Sequence, residues 1–206
     1  MTFNEFLPLL FMGVMGLSLL IYVVLDGYDL GVGLLLPHAT DAEKDTMINS
    51  IGPFWDANET WLVLGVGVLL VAFPKAHGVV LTALYLPVTF MLLGLVLRGV
   101  AFDFRVKVEV AYKPLWNRIF FIGSLVTSVS QGWMLGSYIT GFSNHWSQLV
   151  FNLGVAITLP FAYTLLASGW LIMKTEGDLI EKSRRWGRIS FWPMLASIAF
   201  ISAMTP

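Results

Sequence analysis

A chain of 206 residues, 57% hydrophobic and only 12% charged, with a mean hydropathy of +0.77, describes a polytopic membrane protein and excludes a soluble globular domain. Its formal net charge of −1 decides nothing alone; the informative quantity is where the charges fall. The absence of cysteine excludes disulfides, thiolate metal ligands, Fe–S clusters and Cys-anchored haem.

The first apolar run, Leu7–Leu36, lacks a basic n-region and a small-residue cleavage site, so it reads as a retained helix and not as a signal peptide. Its last turns carry Asp26 and Asp29. Gly27, Gly31 and Gly33 lie among them, and Gly27-Tyr28-Asp29-Leu30-Gly31 has the small-xxx-small spacing that lets helices approach closely. The second run, Met47–Phe73, holds Trp55-Asp56-Ala57-Asn58-Glu59-Thr60-Trp61. Its purely apolar part, Trp61–Phe73, is too short at 1.5 Å per residue to cross a core of ~30 Å. The helix is therefore predicted to begin near Met47 and to carry Asp56 and Glu59 into the bilayer. A carboxylate there costs at least ~2.5 kcal/mol on insertion scales, so it is kept for protons, ions or a buried partner.

The third run, Gly78–Phe102, ends beside Arg98 and Asp103, which read as an orienting ion pair or a snorkelling Arg. Ile119–Ile139, Leu149–Met173 and Ile189–Met204 complete six segments, separated by polar or Pro-marked joints such as Pro37–Asp41, Pro74–His77 and Gly141–His145. No low-complexity tract, soluble domain or clear internal repeat interrupts them. The expected fold is an all-α transmembrane helical bundle of about six helices, forming one membrane domain over 1–206.

Eleven of the twelve Lys and Arg residues fall near or after the ends of the first, third and fifth segments; the exception is Lys75. By the positive-inside rule the N-terminus is outside and these basic loops are cytoplasmic. Along that orientation Asp56 and Glu59 are expected ~14 and ~18 Å into the second helix, and Asp26 and Asp29 ~29 and ~33 Å along the first. Asp56 and Glu59, spaced i and i+3, share a face with Trp55 and Asn58 beside them. Four carboxylates in one band is the layout of a proton intake route fed from the cytoplasm. Two plainer readings stand beside it: Asp26 and Asp29 as interfacial acids bonded to backbone or paired with Arg98, and Asp56 and Glu59 as structural hydrogen-bonding groups.

A b-type haem needs axial His or Met ligands inside helices that face one cavity. His38, His77 and His145 fall in joints or at helix ends, Met91, Met134 and Met173 suit packing, and the eight Trp suit interfacial belts. No P-loop, dinucleotide fingerprint, zinc motif or nucleophile elbow is present, and nothing points to nucleic acid.

The blocks Asp26-Gly27-Tyr28-Asp29-Leu30-Gly31-Val32-Gly33, Met47-Ile48-Asn49-Ser50 leading to Trp55–Trp61, Arg98-Gly99-Val100-Ala101-Phe102-Asp103-Phe104-Arg105 and Gly169–Gly177 resemble, in order and over almost the whole chain, subunit II of the cytochrome bd-type quinol oxidases. Glu59, where other members have Gln, and Leu84-Tyr85-Leu86-Pro87 look more like the cyanide-insensitive branch. The resemblance implies a multi-pass subunit in a bacterial or archaeal plasma membrane. This subunit is haem-free and supports assembly of subunit I, which carries the b-type haems, the d-type (or b-type) oxygen-reducing haem and the quinol-oxidising loop. It implies a cytoplasmic proton path in which the acid of the Trp-Asp block, here Asp56, takes part, with catalysis as a quinol:oxygen oxidoreductase residing in the complex and no catalytic residue or metal in this chain. Some members hold a structural quinone in this subunit, and no motif here decides it. Members usually have eight membrane helices in two four-helix bundles. On that pattern 1–140 is the first bundle and 147–206 part of a second, and a chain stopping at Thr205-Pro206 is expected to be incomplete. Ala57 replaces a common Gly. The rival classes are a proton-coupled secondary transporter, for which interrupted helices and repeats are not evident, and a stand-alone haem protein.

Overall fold

The computed structural model describes residues 3–143 and 145–204; Asn144, in the predicted Gly141–His145 joint, and the Thr205-Pro206 end lie outside them. Among these described residues eight α-helices follow one another: α1 Phe3–Leu35, α2 Asp41–Ile51, α3 Trp55–Ala72, α4 Pro74–Ala83, α5 Tyr85–Lys107, α6 Lys113–Ile139, α7 Trp146–Lys174 and α8 Asp178–Met204. Five, namely α1, α3, α5, α6 and α7, are long and apolar enough to cross a membrane. The all-α polytopic bundle is as expected, but three of the six predicted segments need correction.

The predicted Met47–Phe73 helix is two helices. Pro53 has no N–H to continue the α2 ladder, and the chain tightens through Phe54 N–H to Ile51 C=O at 3.0 Å before α3 starts at Trp55. Asp56 therefore stands in the first turn of α3, not deep along a longer helix. There the positive end of the helix dipole favours a carboxylate. The predicted Gly78–Phe102 run is likewise divided at Leu84, between α4 and α5. Ile189–Met204 is the apolar end of α8, whose first half is charged.

The packing is built on antiparallel neighbours: α5 on α6, α6 on α7, and α7 on α8, with α1 laid against α6 and α7 and α3 against α1. The α1–α7 crossing is close because Gly31 faces Tyr163; a Cβ at Gly31 would lie 2.0 Å from the Tyr163 carbonyl oxygen. Gly27 meets the Tyr163 ring on the same seam, so the spacing read from the sequence does place backbones in contact. The main apolar core lies at the basic-loop end, where Val32, Leu36, Ala101, Phe120 and Leu171 close around Met47, Ile48 and Ile51 of α2. These α2 side chains, spaced i, i+1 and i+4, form its buried face, each contributing roughly 1.5–3 kcal/mol on withdrawal from water. By contrast Leu9, Leu17 and Leu20 of α1 and Val63 and Val71 of α3 are exposed, as suits surfaces that meet lipid or protein.

Candidate functional site

Arg98 of α5 reaches across the bundle and is 1% exposed. Its Nη2 lies 2.6 Å from Oδ1 of Asp26 on α1, itself fully buried, and also pairs with Oε1 of Glu59 on α3. On the next turn of α1, Asp29 is buried and its Oδ2 accepts the Asn58 Nδ2–H of α3 at 2.9 Å. Three carboxylates thus gather where one guanidinium is the cation. Arg98 Nε and Nη1 and both Asp26 oxygens are buried with no hydrogen bond of good geometry among the described residues.

The predicted residues divide sharply. Asp26, Asp29, Asn58, Glu59 and Arg98 come together. Trp55 packs its ring on Phe102, centroids 5.0 Å apart, against the apolar core. Asp56 is exposed, one turn before Glu59 on the same face of α3. The expected Arg98–Asp103 pairing does not form: five residues apart on one helix, the two point to different faces, and Asp103 is exposed.

A cleft of about 210 Å³ opens beside the cluster, lined by Leu25, Tyr28, Asp29, Phe54, Asn58 and Trp170. Tyr28 stacks on Trp170 at 5.3 Å, and Trp170 Nε1–H donates to Ser50 Oγ at 3.2 Å. Asp29 is therefore the carboxylate of the cluster that borders this cleft.

Sequence reading passed over a second polar group that continues from Asp26. Tyr22, one turn earlier on α1, faces the Asp26 carboxylate. Its hydroxyl accepts the Gln131 Nε2–H at 2.6 Å, and Gln131 Oε1 accepts the Tyr163 O–H at 2.5 Å. All three side chains are buried. The available signal was the stripe Ser124, Thr127, Ser128 and Gln131, whose spacing puts polar groups on one face of an apolar helix.

At the basic-loop end α2 is held by ion pairs. Glu43 accepts the Thr40 N–H at 2.8 Å, as in a capping box, and pairs with Lys182 of α8 at 2.7 Å. Hydrogen bonds from Lys182, then from Thr40, hold its carboxyl down at about 2. Asp45 pairs with Arg105 at 2.7 Å and Lys113 at 3.3 Å. Burial pushes the Asp45 carboxyl up, but hydrogen bonds from Arg105 and Lys113 outweigh it and hold it below the usual range. Arg105, read from the sequence only as a loop cation, is buried and also donates Nε–H to Asn117 Oδ1 at 2.5 Å.

His38 ends the turn after α1, His77 sits in the first turn of α4, and His145 caps α7. Among the described residues no group of three His, Cys, Asp or Glu is placed to hold a metal ion.

Comparison with known proteins agrees with this arrangement of blocks. The profile of the family described as cytochrome bd terminal oxidase subunit II matches residues 7–206. Cytochrome bd ubiquinol oxidase subunit 2 of Bacillus subtilis is 31% identical over 204 residues, covering 89% of this chain and 58% of that protein. Cytochrome bd-I ubiquinol oxidase subunit 2 of Escherichia coli K12 is 29% identical over 192 residues, covering 85% and 51%. A probable cytochrome oxidase subunit 2 of Haemophilus influenzae is 29% identical over 216 residues, covering 97% and 57%. The chain spans about half the length of the curated relatives it matches.

Proposed function

The chain belongs to the cytochrome bd terminal oxidase subunit II family, and from that membership we propose that it serves as the haem-free membrane subunit of a quinol-oxidising, oxygen-reducing complex. In this reading it supports assembly of a haem-bearing subunit I, which supplies the haem b and haem d (or b-type) chemistry, and relays cytoplasmic protons toward the oxygen-reducing site. Its N-terminus faces outward and its basic loops face the cytoplasm.

The observation that carries the proton reading is the charge balance around Arg98. One guanidinium faces Asp26 and Glu59 directly, with Asp29 a turn away. Burying more than one anion per cation is costly, and bound protons are the simplest way to even the count. Protons enter from the cytoplasmic end at Asp56 and at the cleft beside Asp29, pass one turn along α3 to Glu59, and are held between Glu59 and Asp26. Arg98 keeps the acids close, Asn58 orients Asp29, and Trp55 packs on Phe102 against the apolar core. Asp103, exposed beyond the end of this set, stands on the cytoplasmic approach.

The test is quinol-driven oxygen consumption per haem in the assembled oxidase. Asp56→Asn and Asp26→Asn preserve shape but cannot ionise, so each should slow turnover per haem far more than it lowers haem per milligram. Full turnover per haem in both variants would make these acids structural and remove the relay.

A further inference from the structure

We infer that the Tyr22–Gln131–Tyr163 bridge, with the glycine-paved seam of α6 and α7 beside it, is the outer proton barrier of this subunit, and that Gln131 is its positioning residue. The inference rests on the reading that protons reach Asp26 from the cytoplasm. A polar cluster that is open on one side of a membrane short-circuits the proton gradient unless the other side is closed.

The hydrogen bonds have a direction. Each phenol owns one proton, and the Tyr163 proton goes to Gln131 Oε1. The Gln131 amide N–H goes to the Tyr22 oxygen, which leaves the single Tyr22 proton pointing away from the amide, on the side of Asp26 one turn further along α1. In this ordering both oxygens that face the amide and its N–H have partners. Every donor points toward Asp26. The middle link is an amide, which neither takes up nor releases a proton in the physiological range, so the chain does not conduct.

Just past the amide the two backbones touch. A Cβ at Gly132 would lie 2.6 Å from Ala156 Cα and 2.7 Å from the Val155 carbonyl oxygen. At Gly136 it would lie 2.7 Å from Asn152 Cα. Contact that close leaves no room for a water file. The next polar groups outward are bonded to each other, with Asn152 Nδ2–H donating to Ser137 Oγ at 3.1 Å. Runs of mobile, alternately donating and accepting groups carry protons. Here a fixed amide is followed by a dry seam.

The experiment uses the complete oxidase in proteoliposomes, without quinol, and follows passive proton uptake under an imposed potential. Gln131→Glu puts an ionisable group between the phenols and should raise the leak several-fold. Gln131→Met, equally long but inert, should stay at the wild-type level. Adding Tyr22→Phe to Gln131→Glu cuts the link to Asp26 and should return the leak to that level. If Gln131→Glu fails to assemble, Gln131→His introduces a relay group instead and should leak likewise. Wild-type tightness in an ionisable variant with normal haem content overturns the barrier, as does equal leakage through Gln131→Met, which would mean mere packing damage. The relay reading fails separately: Asp26→Asn would then turn over normally whatever the leak of the Gln131 variants.

Discussion

Arg98 serves two carboxylates through one nitrogen, so its replacements should not be equivalent. Lysine is a shorter, strongly hydrated point charge whose ammonium falls short of the place Nη2 holds between Asp26 and Glu59. Arg98→Met removes the cation and leaves Asp26 buried and unpaired, a change that typically costs 3–5 kcal/mol, or about this much here. Expected are reduced haem-loaded complex in Arg98→Lys, little or none in Arg98→Met, and substantial recovery in Arg98→Met with Asp26→Asn, measured as haem per milligram of membrane. No recovery in the double variant would mean that Arg98 has other essential partners. The acids of this site were legible because a charge stands out in an apolar run. Pairing of the α1 acids with Arg98 was legible as one of two readings, and Asp26 takes it. The Arg98–Asp103 pair read along the helix does not form, and the Glu59 contact from α3 was not foreseen. Tyr22 and Tyr163 were hidden because a membrane tyrosine looks alike at an interface and in a buried bridge.

The break between α2 and α3 shows what a length argument misses. An apolar run too short to span was extended backwards to Met47, but Pro53 made a surface helix of that extension. The turn signal Gly52-Pro53 stands in the sequence at this break. As a separate element α2 depends on its Glu43–Lys182 and Asp45–Arg105 pairs as well as on its apolar face. Both carboxyls titrate lower when folded than when unfolded. Their stabilisation is therefore complete above the ordinary carboxylate range near about 4.3 and is lost as pH falls through the folded values, about 2 for Glu43. The sign is loss on acidification. Each partly exposed pair contributes up to about 1 kcal/mol. Thermal unfolding of the detergent-purified complex between neutral pH and pH 3 should show a falling Tm, with a shallower fall from a lower start in Lys182→Met. An identical slope in the variant would remove Glu43 from the account.

Composition and charge placement together specified an all-α membrane bundle and its ordered blocks, because hydropathy over long windows averages away local breaks. They did not specify how many helices cross, since α8 mixes a charged half with an apolar one. The orientation still has a direct test. A reporter active only outside the cytoplasm should work when fused near Gly141 and fail within Lys107–Lys113. The opposite result would place the Asp29 cleft on the outer side and reverse the direction of the relay.

The buried pairing of α1 with α5 has a consequence for biosynthesis. The ribosome makes Asp26 and Asp29 before α3 and α4, and only afterwards makes Arg98. While the chain is still growing, the C-terminal end of α1 carries two acids, and the counter-cation of Asp26 has not yet been translated. That end has reason to wait at the lipid headgroups, where water can solvate it. It gains its buried position only when α5 leaves the insertion machinery and brings the guanidinium. Maturation of the first helix is thus completed by the third long one, and a polypeptide interrupted before Arg98 would display an unneutralised end that membrane quality control could recognise.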